Sequence, residues 1–306
     1  MIQHVTHTAV DRQKWDACIS QSMQASVFVY SWYLDAVCED WEAFVLNDYE
    51  AVFPIAVKSK YGFSYIYQPF FTRYFGVFSK QPLTDEVIQS LFKQVYSTYK
   101  QFEFCLHESH QSIHFPVSTA NKQFQFLNLS PSYENLQHSY SKNVKRNLKK
   151  AGQQHFIITR NVEAEKIVDL FKKTKGMELE LFRPEHYQSL VRLMNECLSR
   201  NKGLSIAVYR NETLEAAAFF IKNNDRFIYL KSGITESGRE AGAMHLLMDH
   251  FIKEHCGRND VLDFGGSSVE SVARFYKSFG AKDCVYLELK KGGLFKLMKW
   301  FKSLKF

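Results

Sequence analysis

The chain has 306 residues, enough for two domains of ordinary size, and its 45% hydrophobic and 23% charged content is that of a globular protein rather than a disordered or fibrous one. The net charge of +7 is local: Lys142 to Lys150 and Lys290 to Phe306 carry basic residues and no acid, which leaves the remainder slightly acidic. This argues against general coating of nucleic acid and for an anionic partner at defined places. No run approaches the roughly 18 apolar residues of a membrane span, and no basic start followed by an apolar run marks a signal peptide. Cys18, Cys38, Cys105, Cys197, Cys256 and Cys284 are scattered without a CxxC pair. The expectation is a cytosolic protein with buried, reduced thiols, not a disulfide framework or a zinc ribbon.

Along the chain, residues 11–22 predict a helix with Trp15, Cys18 and Ile19 on one side, and Trp32 to Cys38 predicts a second, shorter one. EAFVLN, AVFPIAVKS, FSYIYQPFF and YFGVF read as strands, rich in β-branched and aromatic residues and broken by Asp48, Gly62 and Pro69. Val87, Ile88, Leu91, Phe92 and Val95 fall at helical spacing over 84–100. FEFCLHE and QFQFLNL complete a first α/β unit, expected to end near Ser130–Pro131. Residues 132–151 form a connection of one or two helices, with Lys142, Arg146 and Lys149 on one side. A solvated helix face is the plainer account of that stripe.

The second unit has clearer signals. HFIITR is a strand, helices are predicted at 162–175 and 185–200, and LSIAVYRN with LEAAAFFIKN forms a hairpin around Asn211–Glu212. FIYLKSGI is a third strand. TESGREAG is a loop into helix 243–257, whose stripe is Met244, Leu247, Met248, Phe251 and Ile252. VLDF is a buried strand, then a Gly/Ser turn enters the helix SVESVARFYKSF, which stops at Gly280, and CVYLELKK closes the unit. The order is β-α-α-β-β-β-α-β-α-β. Neither GxGxxG after an early strand nor GxxxxGK[ST] occurs, so nucleotide-fold readings have little support. His107, His110 and His114 form HxxHxxxH on a strand-to-loop segment, where the spacing does not converge on one metal, and no metal is expected.

With these motifs placed, the chain resembles the GNAT superfamily of N-acyltransferases, and more closely its FemABX branch, in which two GNAT-like units share one chain. The second-unit order is the GNAT order. KNVKRNLKKA (142–151) is similar to the basic helix that opens that branch's second unit, and DFGGS with ARFYKSFGA (263–281) is similar to its closing strand and helix. The resemblance implies an α/β (α+β) fold of two tandem units, each a mixed, mostly antiparallel sheet flanked by helices. Their bounds would be 1–131, degenerate, and 132–306, ending in a basic amphipathic tail at 290–306. Two departures bear on the chemistry. Peptidoglycan-bridge members carry F-K-x-x-F-G on the closing helix, and here Tyr276 stands where the lysine would be. That tyrosine resembles acyl-CoA GNATs, in which the phenol is proposed to protonate the leaving thiolate. The pyrophosphate loop of the family, Q/R-x-x-G-x-G/A, is matched by Arg239 and Gly242, followed by Ala243, but Met244 replaces a small residue.

Acyl transfer to an amine needs a neutral amine, N–H donors aimed at the oxyanion, and a proton for the leaving group. The resemblance assigns the oxyanion donor to the strand Phe227–Ile234 and places Ser232 and Gly233 with Arg239, Gly242 and Ala243 as donor-binding candidates. Tyr276 is the leaving-group acid, with a core tyrosine as the plainer account. Asp263 is either a base or amine-orienting group, or a carboxylate capping the Ser267 and Ser268 N–H groups. Glu178, Glu180, Arg183 and Glu185 fall where acceptor loops lie in this fold, and Lys142 and Arg146 are further substrate-binding candidates. The expected activity is transfer from acyl-CoA to an amine of a sugar, peptide or cell-envelope precursor. The alternatives are aminoacyl transfer from charged tRNA to a peptidoglycan precursor, and a non-catalytic GNAT-like binding protein. The tail LFKLMKWFKSLKF, if helical, is basic and amphipathic, which suits either docking on the protein or peripheral contact with the inner face of a membrane and a lipid-linked acceptor.

Overall fold

The structure, a computed structural model, describes residues 1–60, 62–174, 182–266 and 270–292. It divides into two units, Met1–Lys122 with the chain from Val285 on, and Gln123–Cys284. The first contains β1 (Ile2–Val5), α1 (Arg12–Gln21), α2 (Ser31–Val37), β2 (Trp41–Leu46), β3 (Ala51–Lys60), β4 (Phe63–Tyr67), β5 (Phe78–Ser79), α3 (Asp85–Thr98) and β6 (Phe102–Cys105). β7 (Ser118–Asn128) leads into the second, which holds α4 (Tyr133–Ser139), α5 (Lys142–Ala151), β8 (Ile157–Arg160), α6 (Ala164–Thr174), α7 (Pro184–Ser199), β9 (Gly203–Arg210), β10 (Thr213–Asn223), β11 (Arg226–Ile234), α8 (Glu236–Ala241), α9 (Ala243–His255), β12 (Val261–Gly265) and α10 (Glu270–Lys277). β13 (Lys282–Lys291) follows.

The two units share one topology. In the first, the strand order is β1-β2-β3-β4-β6-β13; in the second it is β8-β9-β10-β11-β12-β7. Neighbours are antiparallel except one pair in each, β4 with β6 and β11 with β12. Both units therefore carry a mixed, mostly antiparallel sheet with helices. The division runs through β7 and β13 rather than through the Ser130–Pro131 stretch. Its physical cause is pairing: Glu288–Lys291 of β13 ladder with β6, and Gln125–Asn128 of β7 ladder with β12.

Local chemistry accounts for most boundaries. The 132–151 connection is two helices because Ser132 and Ser141 each cap one, accepting from the N–H groups of Asn135 and Val144. The β9–β10 hairpin turns on Asn211 (φ 47°) and Glu212 (φ 64°), the doubly left-handed pair of a type I′ turn. The α9 stripe is buried as its period requires: Met244, Leu247, Met248, Phe251 and Ile252 join the second-unit core with Phe220, Phe227, Tyr229, Leu262 and Phe264. Each such side chain contributes about 2 kcal/mol of burial. YFGVF is a correction: only Phe78–Ser79 is a strand, and Phe75 makes a single parallel bridge to Leu106. The basic stretch begins inside the strand CVYLELKK, as read. Lys290 and Lys291 are strand residues of β13, and Lys290 pairs with Glu103 (3.1 Å) and Glu288 (2.7 Å). Residues 293–306, with the rest of that tail, lie outside the described residues. Among the described residues, no helix is long and apolar enough to cross a membrane.

Candidate active site

The second unit is organised around the place where its parallel pair separates. β11 and β12 are in register only at Arg226–Ile228 with Val261–Asp263. Beyond Ile228, β11 runs on to Ile234 paired with β10. The β10–β11 ladder passes from Phe219↔Lys231 to Phe220↔Tyr229, so Leu230 is an extra, bulged residue. The bulge breaks the two-residue alternation of side chains. Tyr229 faces α9, its hydroxyl 3.6 Å from the Met244 sulfur, while Lys231 turns to the other face, its ammonium 3.9 Å from the Phe171 ring centroid. Past Ile228 the β12-facing edge of Phe227–Ile234, the strand expected to carry the oxyanion donors, is not paired with β12.

Tyr276 stands behind it. On α10 it is buried, stacked on Phe264 (centroids 4.6 Å apart, planes 23°) and edge-on to Tyr229 (6.0 Å, 83°). Burial, then the Tyr229 phenol and the Asp263 carboxylate, raise the Tyr276 phenol well above its ordinary value. Burial pushes Tyr229 up to about 12, with the Ser232 hydroxyl acting in the opposite direction. The structure places Tyr276 in the core, the plainer account of it, packed on the rings at the end of the β11–β12 ladder.

Asp263 is fully buried at the last position of β12 paired with β11. One carboxylate oxygen accepts from the Gly265 N–H (2.9 Å) and the other pairs with Arg226 (3.2 Å). The carboxylate therefore fixes the turn that leads toward α10. Ser267 and Ser268, its expected capping partners, lie outside the described residues.

The expected donor loop is a correction. TESGREAG is largely α8, a short helix capped by the Thr235 hydroxyl. The N–H groups of Gly238, Arg239 and Gly242 are already bonded, to the Thr235 hydroxyl, the Thr235 carbonyl and the Arg239 carbonyl. Buried Glu215 anchors the corner, accepting from Arg210 (Nε, 3.0 Å), from Ser237 (2.7 Å) and from the Thr235 hydroxyl. Gly242 (φ 83°) joins α8 to α9, and a Cβ there would come 2.7 Å from the Asn147 carbonyl of α5. What remains for an anion is the first turn of α9, at Ala243, whose N–H groups have no intrahelical acceptor. Arg239 is exposed on α8. Gly233 packs under α6, where a Cβ would lie 2.6 Å from the Phe171 nitrogen, so its small size serves helix–strand contact.

The acceptor candidates are spread out. Arg183 caps α7 and lies near Glu185 (3.8 Å), exposed. Glu178 and Glu180 lie outside the described residues. Lys142 and Arg146 are exposed on α5, which packs against the α8–α9 corner and so borders the expected donor site. His110 does not share a centre with its neighbours: its Nε2 accepts from the Val77 N–H (3.0 Å), and His107 Nδ1 accepts from the Ser109 N–H (3.1 Å). Among the described residues, no group of His, Cys, Asp and Glu side chains is arranged to hold a metal ion.

The first unit has the counterpart of the parting strands, but filled. β4 and β6 pair in parallel at Ile66–Tyr67 with Phe102–Glu103. Past that point, the Gln68 side chain accepts from the Cys105 N–H (2.9 Å) and donates to the Thr72 carbonyl (3.1 Å). The Phe75 N–H then bonds the Cys105 carbonyl (2.8 Å). The gap is closed by the chain's own groups.

Comparison with known proteins agrees with this geometry. Residues 138–278 match the sequence model of the acetyltransferase (GNAT) domain. Among solved structures, FemX superposes with a TM-score of 0.65 at 10% identity, covering 97% of this chain and 99% of its own. A tandem GNAT protein from the clavulanic acid biosynthesis pathway gives 0.57 at 11% identity, covering 95% and 99%. L-PGS from Bacillus licheniformis gives 0.55 at 10% identity, covering 92% of each chain. No curated protein sequence matches significantly. The chain thus shares its fold with FemX and a tandem GNAT protein, and residues 138–278 match the acetyltransferase (GNAT) domain model.

Proposed function

We propose that the protein is an N-acyltransferase that moves an acyl group from acyl-CoA to an amine of a sugar, peptide or cell-envelope precursor. The observation that carries this reading is the bulged, parted edge of β11 with Tyr276 stacked behind it. The amine nitrogen attacks the thioester carbonyl, and N–H groups of β11 stabilise the oxyanion. The C–S bond then breaks and the thiolate leaves under a hydrogen bond from the Tyr276 phenol. Because burial raises that phenol, while a thiol ordinarily titrates near about 8.5, donation of the hydrogen bond counts for more than complete proton transfer. The ammonium formed on the acceptor loses its proton to solvent. Asp263 acts as a positioning residue, since both its oxygens are engaged. The first turn of α9 and Arg239 are the groups proposed for the donor's phosphates.

A second reading, aminoacyl transfer from charged tRNA, is favoured by one observation: Lys142, Lys145, Arg146, Lys149 and Lys150 of α5 are all exposed. Thermal-shift and calorimetric titration with CoA, acetyl-CoA and a charged tRNA separates the two. Donor binding stabilises by mass action, about 2.7 kcal/mol at a hundredfold excess over Kd. Saturation by CoA without tRNA binding is the expected result. Tight, salt-sensitive tRNA binding without CoA binding would sink the proposal, and silence to both would favour a non-catalytic binding protein.

A further inference from the structure

We infer that the β3–β4 hairpin is an arm that docks the first unit on an anionic lipid surface. β3 has ten residues, but β2 pairs only with residues 51–56 and β5 only with Ala51 and Val52. β4 meets β6 only at Ile66 and Tyr67. Among the described residues, the ends of the two strands therefore pair with nothing but each other, as Lys58↔Tyr65, Ser59↔Ser64 and Lys60↔Phe63. They form a two-stranded ribbon that runs out past the sheet. Its turn stands clear: a Cβ added at Gly62 (φ 79°) would meet no atom within 4 Å. A two-stranded ribbon by itself is marginally stable in water, so a surface that covers one of its faces adds to its order.

The two faces of the ribbon differ. Cross-strand partners share a face, and faces alternate along each strand. One face carries Ser59 and Ser64, whose hydroxyl oxygens are 2.8 Å apart. The other carries Lys58, Lys60, Phe63 and Tyr65 and continues into Tyr67, whose ring centroid lies 4.8 Å from the Lys58 ammonium. Phe63, at the free end, is 65% exposed; Lys58 and Lys60 are exposed as well, and Tyr65 is buried. The charge is one-sided too. From Ala51 to Thr84 the chain holds Lys58, Lys60, Arg73 and Lys80 and no acid. Asp40 stands at the base of the ribbon, its carbonyl accepting from the Val57 N–H (3.4 Å), roughly 10 Å along the strand from the Lys60↔Phe63 pair. A projecting phenyl ring flanked by lysines suits a bilayer interface: the ring enters the acyl boundary, the lysine stems lie along it, and the ammonium groups meet lipid phosphates. A single-stranded nucleic acid would need successive open rings on which to stack, and of Phe63, Tyr65 and Tyr67 only the first is exposed.

The test is co-sedimentation of the full chain with vesicles of phosphatidylcholine alone and of phosphatidylcholine with about 30% phosphatidylglycerol, with a single-stranded RNA oligonucleotide titrated in parallel. Binding to the anionic vesicles alone, weakened by salt, is the expected result. Lys58→Gln combined with Lys60→Gln is expected to lower that partitioning at least roughly tenfold. Phe63→Ser is expected to lower it at least roughly threefold. Both variants change exposed side chains, and a thermal melt matching wild type confirms that they fold. Equal partitioning to neutral vesicles, no partitioning by wild type, or unchanged partitioning in the folded variants overturns the inference; the last of these moves the contact to another part of the chain. RNA binding that the same substitutions weaken, without vesicle binding, overturns it in favour of a nucleic-acid partner.

Discussion

Replacing Tyr276 with phenylalanine is expected to lower turnover by roughly tenfold or more while donor affinity stays nearly unchanged. The two side chains differ by one hydroxyl, so the stack on Phe264 and the edge contact with Tyr229 survive. What is lost is the hydrogen bond offered to the departing thiolate, an interaction that forms only as the C–S bond breaks and therefore acts on kcat rather than on binding. The pH dependence has a definite sign. Since burial raises the phenol above its ordinary value, it remains protonated through the ordinary tyrosine range near about 10. Turnover should show no loss from this group as pH rises through neutrality, and any lower-pH inflection should persist in Tyr276→Phe. Unaltered kcat in that variant would remove Tyr276 from the mechanism.

Asp263→Ala is expected to destabilise the second unit by about 3 kcal/mol. The carboxylate is fully buried, and its removal takes an acceptor from the Arg226 guanidinium and from the Gly265 N–H together. Arg226 is about a third exposed and recovers some hydration, which keeps the loss below that of a wholly buried pair. The same substitution should lower turnover, because the Gly265 turn leads into the helix that carries Tyr276. Urea unfolding of the variant reads the first effect and residual activity well below the melt reads the second. A change within about 0.5 kcal/mol would show that the pair is a surface interaction in energetic terms.

The elements that the sequence makes legible are those whose signals are local. The α9 stripe and the Asn211–Glu212 turn each follow from a few neighbouring residues and stand in the structure as read, and the connection at 132–151, open between one helix and two, is settled as two by its serine caps. The order of elements in the second unit, hence the GNAT resemblance, follows from them. Non-local pairing is what escapes. β13 ladders with β6 more than half the chain away, which no periodicity in CVYLELKK announces. The Leu230 bulge is equally silent, because FIYLKSGI alternates well enough as a regular strand, and only the ladder to β10 reveals the extra residue. Tyr276 was reachable through its motif. Its partners Tyr229 and Phe264 were not, since they look like any aromatic residues on buried strands until the end of the β11–β12 ladder sets them side by side. TESGREAG reads as a loop because Gly and Ser lower helix propensity, but the Thr235 cap and the buried Glu215 beneath it outweigh that cost and wind it into α8. The same effect explains why Gln68 could not be seen as the plug of the first unit: its role is a pair of hydrogen bonds across a gap that exists only in three dimensions.

Hydrogen–deuterium exchange with and without saturating acetyl-CoA addresses the central claim most directly, because it asks whether a donor binds and where. The account predicts slowed exchange at Tyr229–Ile234 and over Ala243–His245, with Ile66–Val77 of the first unit unchanged. Protection confined to Ile66–Val77, or no protection of β11 at saturating acetyl-CoA, would contradict it.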